Sequence, residues 1–166
     1  EVVNYAHGLG SIIVAAASND DNDVPRYPAH YIHVISVAAV TPSDVKADFS
    51  SYQYSVDISA PGTSILSTVF NDNYGQKSGT SMACPMVAGA LGLLKSYHPD
   101  WTNEELVHQL VSTADNIDEI NEGFEYLLGT GRLNAFEMLA GTPETPYLKL
   151  ELVNAISIDD NGNGAN

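Results

Sequence analysis

Two apolar stretches stand out early in the chain: Ile12-Ile13-Val14-Ala15-Ala16-Ala17 and Val34-Ile35-Ser36-Val37-Ala38-Ala39-Val40. Both are short and rich in β-branched residues, which predicts strands buried on two faces, the pattern of a parallel sheet. Residues 2–9, ending among Gly8 and Gly10, read as the last turns of a helix with its glycine stop. Between the two strands, Asn19-Asp20-Asp21-Asn22-Asp23 is a polar turn, and Pro25 and Pro28 with Tyr27, His30 and Tyr31 predict an irregular loop. Residues 56–59 and 65–69 read as two further strands joined across Ala60-Pro61-Gly62.

The pattern then turns helical. Residues 80–97 are rich in Ala, Leu, Met and Gly, and His98-Pro99 ends them because proline disfavours helix in the residue before it. Thr102-Asn103-Glu104-Glu105 is a capping box that opens a second helix, with Leu106, Leu110 and Val111 on one face. Residues 134–139 predict a short third helix. Thr142-Pro143-Glu144-Thr145-Pro146 reads as a linker, after which Leu148-Lys149-Leu150-Glu151-Leu152 alternates like an edge strand.

Composition narrows the function. With 44% hydrophobic and 16% charged residues, the chain has material for a packed core. Its 21 acidic against 6 basic residues give a formal charge of −15, which argues against nucleic acid or anionic lipid as partner. The longest nearly apolar run, Met82 to Leu94, is broken by Pro85, Gly89 and Gly92 and is shorter than the roughly 20 residues of a membrane span. Cys84 is the only cysteine, so no intrachain disulfide forms.

The chemistry concentrates in Ser78-Gly79-Thr80-Ser81-Met82-Ala83-Cys84-Pro85-Met86-Val87-Ala88-Gly89-Ala90. One reading is a capped helix start in which Thr80 or Ser81 caps and small residues allow close packing. The other is a nucleophile: a serine at a helix start sits near unpaired amides carrying about half a positive charge, where an oxyanion is stabilised. Gly79 would let a substrate backbone approach. Cys84, one turn along, reads as a small packing residue.

Gly79-Thr80-Ser81-Met82-Ala83-x-Pro85-x-Val87-Ala88-Gly89 resembles the nucleophile motif of the subtilisin-like serine proteases, the subtilases. Further stations follow the family order: the apolar run ending in Ser18-Asn19, Tyr27-Pro28-Ala29, Val34-Ile35-Ser36-Val37, Phe49-Ser50-Ser51, Ile58-Ser59-Ala60-Pro61-Gly62 and His98-Pro99-Asp100-Trp101-Thr102. The resemblance implies Ser81 as nucleophile, Asn19 as oxyanion-hole donor, and Ala16, Ala17 and Ser18 with Gly79 as substrate-binding positions. Many relatives have glycine where Ser18 stands, and histidine where Met86 stands; Met fills a similar volume in a core.

A serine nucleophile needs a histidine base and an orienting carboxylate, which precede it in subtilases in the order Asp, His, Ser. Neither motif is present: His7, His30, His33, His98 and His108 all lack the Gly-Thr-His setting, and read as surface or locally bonded residues. The chain therefore reads as the C-terminal part of a subtilase catalytic domain (residues 1–141), then a linker (142–147) and a tail or following domain (148–166). The implied fold is an α/β three-layer sandwich with a mainly parallel sheet, its strands covered in part by an absent N-terminal half. The implied activity is a secreted serine endopeptidase acting on protein or peptide substrates; the alternatives are a catalytically silent binding domain and an α/β-hydrolase, whose Gly-x-Ser-x-Gly motif is not met here.

No metal is required for that chemistry. Asp159-x-Asn161-x-Asn163-Gly164 matches the first half of a calcium loop but runs out of chain before its bidentate acid, and Asp20-Asp21-Asn22-Asp23 reads as a solvated acidic loop. The resemblance alone points to a weak structural calcium site at the backbone carbonyls near Ala29, Tyr31 and Val34.

Overall fold

A computed structural model describes residues 1–141 of the chain. The linker, the alternating segment at 148–152 and the half calcium loop at 159–164 lie outside the described residues. Helix α1 (Val2–Gly8) leads into strands β1 (Ile13–Ala16), β2 (Val34–Val40) and β3 (Ile58–Pro61), which pair in parallel in the order β1-β2-β3. A hairpin, β4 (Ile65–Val69) and β5 (Asn73–Lys77), precedes α2 (Thr80–Tyr97), α3 (Asn103–Ser112) and α4 (Ala135–Ala140).

The continuous apolar run of β2 is explained by its place: it is the central strand and every residue of it is buried. Ile35, Val37 and Ala39 pack on one side with Ala83, Val87, Leu91 and Leu94 of α2 and with Leu106, Leu110 and Met138 of the later helices. Ala38 and Val40 pack on the other side with Val56, Ile117 and Leu128, while Val34 meets Ala15 and Ala29, with Val3 of α1 against them. The sheet thus lies between two covering layers. β1 is less sheltered than β2, and its outer edge has no partner strand among the described residues.

Two strand expectations need correction. The third strand begins two residues later than its apolar pattern predicts, because Val56 N–H closes a turn onto Gln53 O and only from Asp57, donating to Ser36 O, does the chain join the ladder. It runs on through Pro61 because Ser59 N–H points away from β2, to Gly131 O, and Pro61 N shares that side, where no ladder bond is lost. The sequence pattern predicts no strand at β5: Asn73-Tyr74-Gly75-Gln76-Lys77 lacks β-branched residues and is held by its pairing with β4. Its signal lies in the turn, where Asn71 and Asp72 take left-handed φ values of 63° and 51°, which these residue types tolerate.

The remaining boundaries agree closely with the sequence. Thr102 caps α3 through a complete capping box, and Asn134 caps α4 by accepting from Glu137 N–H. The small residues of α2 divide by face. Ala83 and Ala90 are buried, whereas a side chain at Gly89 or Gly92 would meet nothing within 4 Å.

Candidate active site

Parallel strands deliver their carboxyl ends to one edge, and three of them converge there. At the end of β1, Ala17 N–H still donates to Val37 O, but Ser18 turns sharply with φ of 100° and hands the chain to Asn19. At the end of β3, Gly62 N–H donates to Val40 O and Gly62 O accepts from Gly79 N–H at 2.8 Å. A Cβ on Gly62 would lie 2.5 Å from the Ala39 Cβ, so only glycine lets the turn come this close. Gly79, with φ of 154°, then starts α2.

The start of α2 has no side-chain cap of its own. Instead, the fully buried Thr80 donates both its backbone amide, at 2.9 Å, and its hydroxyl, at 3.0 Å, to Asn19 Oδ1. A backbone N–H can only donate, so the Asn19 atom facing it is the oxygen and the amide orientation is fixed. Asn19 Nδ2 and the amide and hydroxyl of Ser81 then make no hydrogen bond among the described residues. Both Asn19 and Ser81 are exposed. A hydroxyl at a helix start, beside two donors without acceptors, is an arrangement that can stabilise a negative oxygen.

Of the substrate-binding candidates, Ala16 and Ser18 are partly buried, whereas Ala17 is fully enclosed by Ala38, Val40 and Val56, so it can offer only backbone. The positive φ of Ser18 is a conformation that favours glycine. Its hydroxyl donates to Asp20 Oδ2 at 2.6 Å. Asp20 is also paired with Arg26, and Asp21 with Lys46, so two carboxylates of the acidic loop are bound by the protein's own cations.

No histidine is hydrogen-bonded to Ser81. His7 and His33 stack with ring centroids 4.0 Å apart, His98 stacks on Trp101 at 3.7 Å, and His30 Nδ1 lies 2.9 Å from Ser55 Oγ. Among the described residues no group of three or more His, Cys, Asp or Glu side chains is placed to hold a metal ion. Burial pushes the Cys84 thiol up, away from the thiolate, and Met86 packs partly buried against the main core. No described helix is long and apolar enough to cross a membrane. Sequence reasoning missed Thr80 as the residue that orients Asn19, because threonine at a helix start reads as a cap; it also missed Gly62, whose signal was Pro-Gly directly after a strand.

The model of peptidase family S8, the subtilase family, matches residues 1–131. Thermitase from Thermoactinomyces vulgaris is 42% identical over 137 residues, covering 82% of this chain and 47% of the relative. Subtilisin BL from Lederbergia lenta is 37% identical over 135 residues, covering 81% and 48%. Among solved structures, a protease from Pseudoalteromonas arctica PAMC 21717 aligns with a TM-score of 0.76 at 31% identity, over 83% of this chain and 44% of that one. The chain spans about half the length of these curated relatives. Fold, motif order and similarity coincide, and the chain belongs to the subtilase family of serine proteases.

Proposed function

We propose that this chain supplies the nucleophile-bearing half of a secreted serine endopeptidase, whose histidine base and orienting aspartate are carried upstream in the same protein. Ser81 Oγ attacks the scissile carbonyl as the base takes its proton. The C–N bond breaks, the base returns the proton to the leaving amine, and water then releases the acyl group. Asn19 Nδ2 and Ser81 N–H donate to the carbonyl oxygen as it becomes negative, an interaction that strengthens on the way to the transition state. Ala16 and Ser18, the Ala17 backbone and Gly79 border the substrate. The chemistry requires no metal; a structural calcium, if bound, would use the carbonyls of Ala29, Tyr31 and Val34.

The observation that carries this reading is the double hydrogen bond from Thr80 to Asn19 Oδ1, which turns the amide's donor end away from Thr80 and leaves it free near Gly79, two residues before Ser81. A fluorophosphonate probe tests it. The full-length protein should label at Ser81 and lose labelling in Ser81→Ala, while residues 1–166 alone should label barely. Equal labelling of both would show that the base is not upstream. No labelling of a folded full-length protein would favour a silent binding domain.

A further inference from the structure

The loop that carries Asn19 is held from one side by a single neighbouring segment, residues 46–52. Ser51 N–H donates to Ser18 O at 3.0 Å, Asp20 N–H to Ser51 Oγ at 3.3 Å, Asp21 N–H to Phe49 O at 3.1 Å, and Tyr52 N–H to Asn22 O at 3.1 Å. One member of this set of contacts is charged. Lys46 Nζ donates to Asp21 Oδ1 at 2.6 Å and to the carbonyls of Ala47 and Asp48 at 3.3 and 3.5 Å. The same ammonium lies 5.2 Å from the ring centroid of Tyr52 and 5.1 Å from that of Phe124.

Lysine is seldom buried, yet only 7% of this side chain is exposed, against 60% of Asp21. Burying an ammonium is costly unless oxygens and ring faces replace its water, and here they do. Its own backbone is fixed too: Lys46 N–H donates to Asn121 Oδ1 at 2.6 Å, and Asn121 Nδ2 donates to Ile117 O and Asp44 O. The ammonium is thus anchored on the rigid side and grips a carboxylate two residues from Asn19.

We propose that Lys46 is a positioning residue for the active site, an internal cation that holds the 18–22 loop so that Asn19 presents its amide beside Ser81. The proposal rests on the oxyanion role proposed for Asn19. Thr80 sets the direction of the side-chain amide; Lys46 sets where the backbone beneath it stands. Small displacements of a donor are expensive in turnover but not in substrate binding, because the donor acts chiefly on the transition state.

The test uses the full-length protein with Lys46→Met, Lys46→Arg, Asp21→Asn and the double variant Lys46→Met/Asp21→Asn. Lys46→Met keeps most of the buried stem and removes the charge beside the two rings. Its kcat should fall about tenfold with KM within about twofold, and Lys46→Arg should recover most of the loss. The double variant should be no worse than the poorer single one, since both remove the same contact. Asp21, at the exposed end of the pair, provides a variant that folds even where Lys46→Met does not. Hydrogen exchange gives a readout independent of catalysis: amides of residues 18–22 should exchange faster in Lys46→Met while those of β2 stay protected. Unchanged kcat, or exchange accelerated throughout the fold, would overturn the proposal. Where the wild-type protein cleaves no peptide the oxyanion reading fails first, and loop-confined exchange still decides whether Lys46 holds the loop.

Discussion

Helices α2 and α3 begin in opposite ways. The start of α3 is closed: Thr102 accepts from Glu105 N–H at 3.3 Å, and Glu105 accepts in return from Thr102 N–H at 2.7 Å. Lys95 ties the preceding turn by donating to Pro99 O and Trp101 O, and His98 lies flat on Trp101. The start of α2 is open: Gly79 contributes no side chain, the first turn carries no acidic residue, and among the described residues the only side-chain acceptor offered to its amides is Asn19, from the loop after β1. Capping is worth about 1 kcal/mol, so the open start forgoes stability that the same chain obtains at the next helix. What the difference teaches is that a helix start can go without a cap from its own segment when a distant residue, brought in by the fold, accepts from one of its amides.

The sharpest way to break the contrast is to remove a group from each start. In the full-length protein Asn19→Ala should lower kcat by about 100- to 1,000-fold, the loss known for removal of the oxyanion-hole asparagine of a subtilisin. Thr102→Ala should leave kcat unchanged. Steady-state peptide hydrolysis decides, and a loss below about threefold in Asn19→Ala would sink the oxyanion assignment.

Gly79→Ala probes the open start from its backbone. At φ 154° and ψ 158° the residue occupies a region that is essentially glycine-only, at a cost of about 1–3 kcal/mol for other residues. Space is not the obstacle, because the nearest atoms to an added Cβ, on Asn19 and Met82, lie at 3.6 Å. The variant should therefore unfold at lower denaturant, and it should also lose turnover, since the new methyl group abuts the Asn19 amide. A variant of wild-type stability would show that the strain is relieved elsewhere.

The contrast is only half legible in the sequence. The capping box of α3 is a local signal, four residues long, and it names the correct cap. Ser81 and Asn19 are legible together as a family motif, but not from the pattern itself, because one starts α2 and the other follows β1, and only the fold brings Asn19 to the start of α2 through Thr80. Thr80 reads as a cap because a local rule covers threonine at a helix start, and no local rule covers a threonine that donates across the fold. Lys46 carries no sequence signal at all: its burial is produced by Tyr52, Phe124 and Asn121, the last of them in a segment with little regular structure. β5 is hidden for the same reason, since its partner and not its composition makes it a strand.

Thr102→Ala should destabilise the protein by about 1 kcal/mol, seen as a lower denaturant midpoint at unchanged slope. The effect is smaller than that of Gly79→Ala because it removes a contact without forcing the backbone. A midpoint equal to wild type would mean that water replaces the cap at no cost.

The smallest effect separates the two starts by pH. The Glu105 carboxyl is held below its ordinary value of 4.5, first by the Thr102 backbone N–H, next by the Thr102 hydroxyl and to a lesser degree by the charge of Lys95. A carboxyl with a folded pKa below its unfolded one contributes stability that is fully present above the unfolded value and is lost as pH falls through the folded value. The stability gap between wild type and Glu105→Gln should therefore be widest above pH 4.5 and close progressively below it. Protection of the first amides of α3 against hydrogen exchange should weaken over the same range. The first turn of α2 contains no acidic residue, so its amides have no such carboxylate to lose and should not follow. A gap that widens on acidification would reverse the sign and remove Glu105 from the cap. Equal acid sensitivity at both helix starts would mean that the acid limb reports the whole fold, and the contrast between a closed and an open helix start would then have no titratable part.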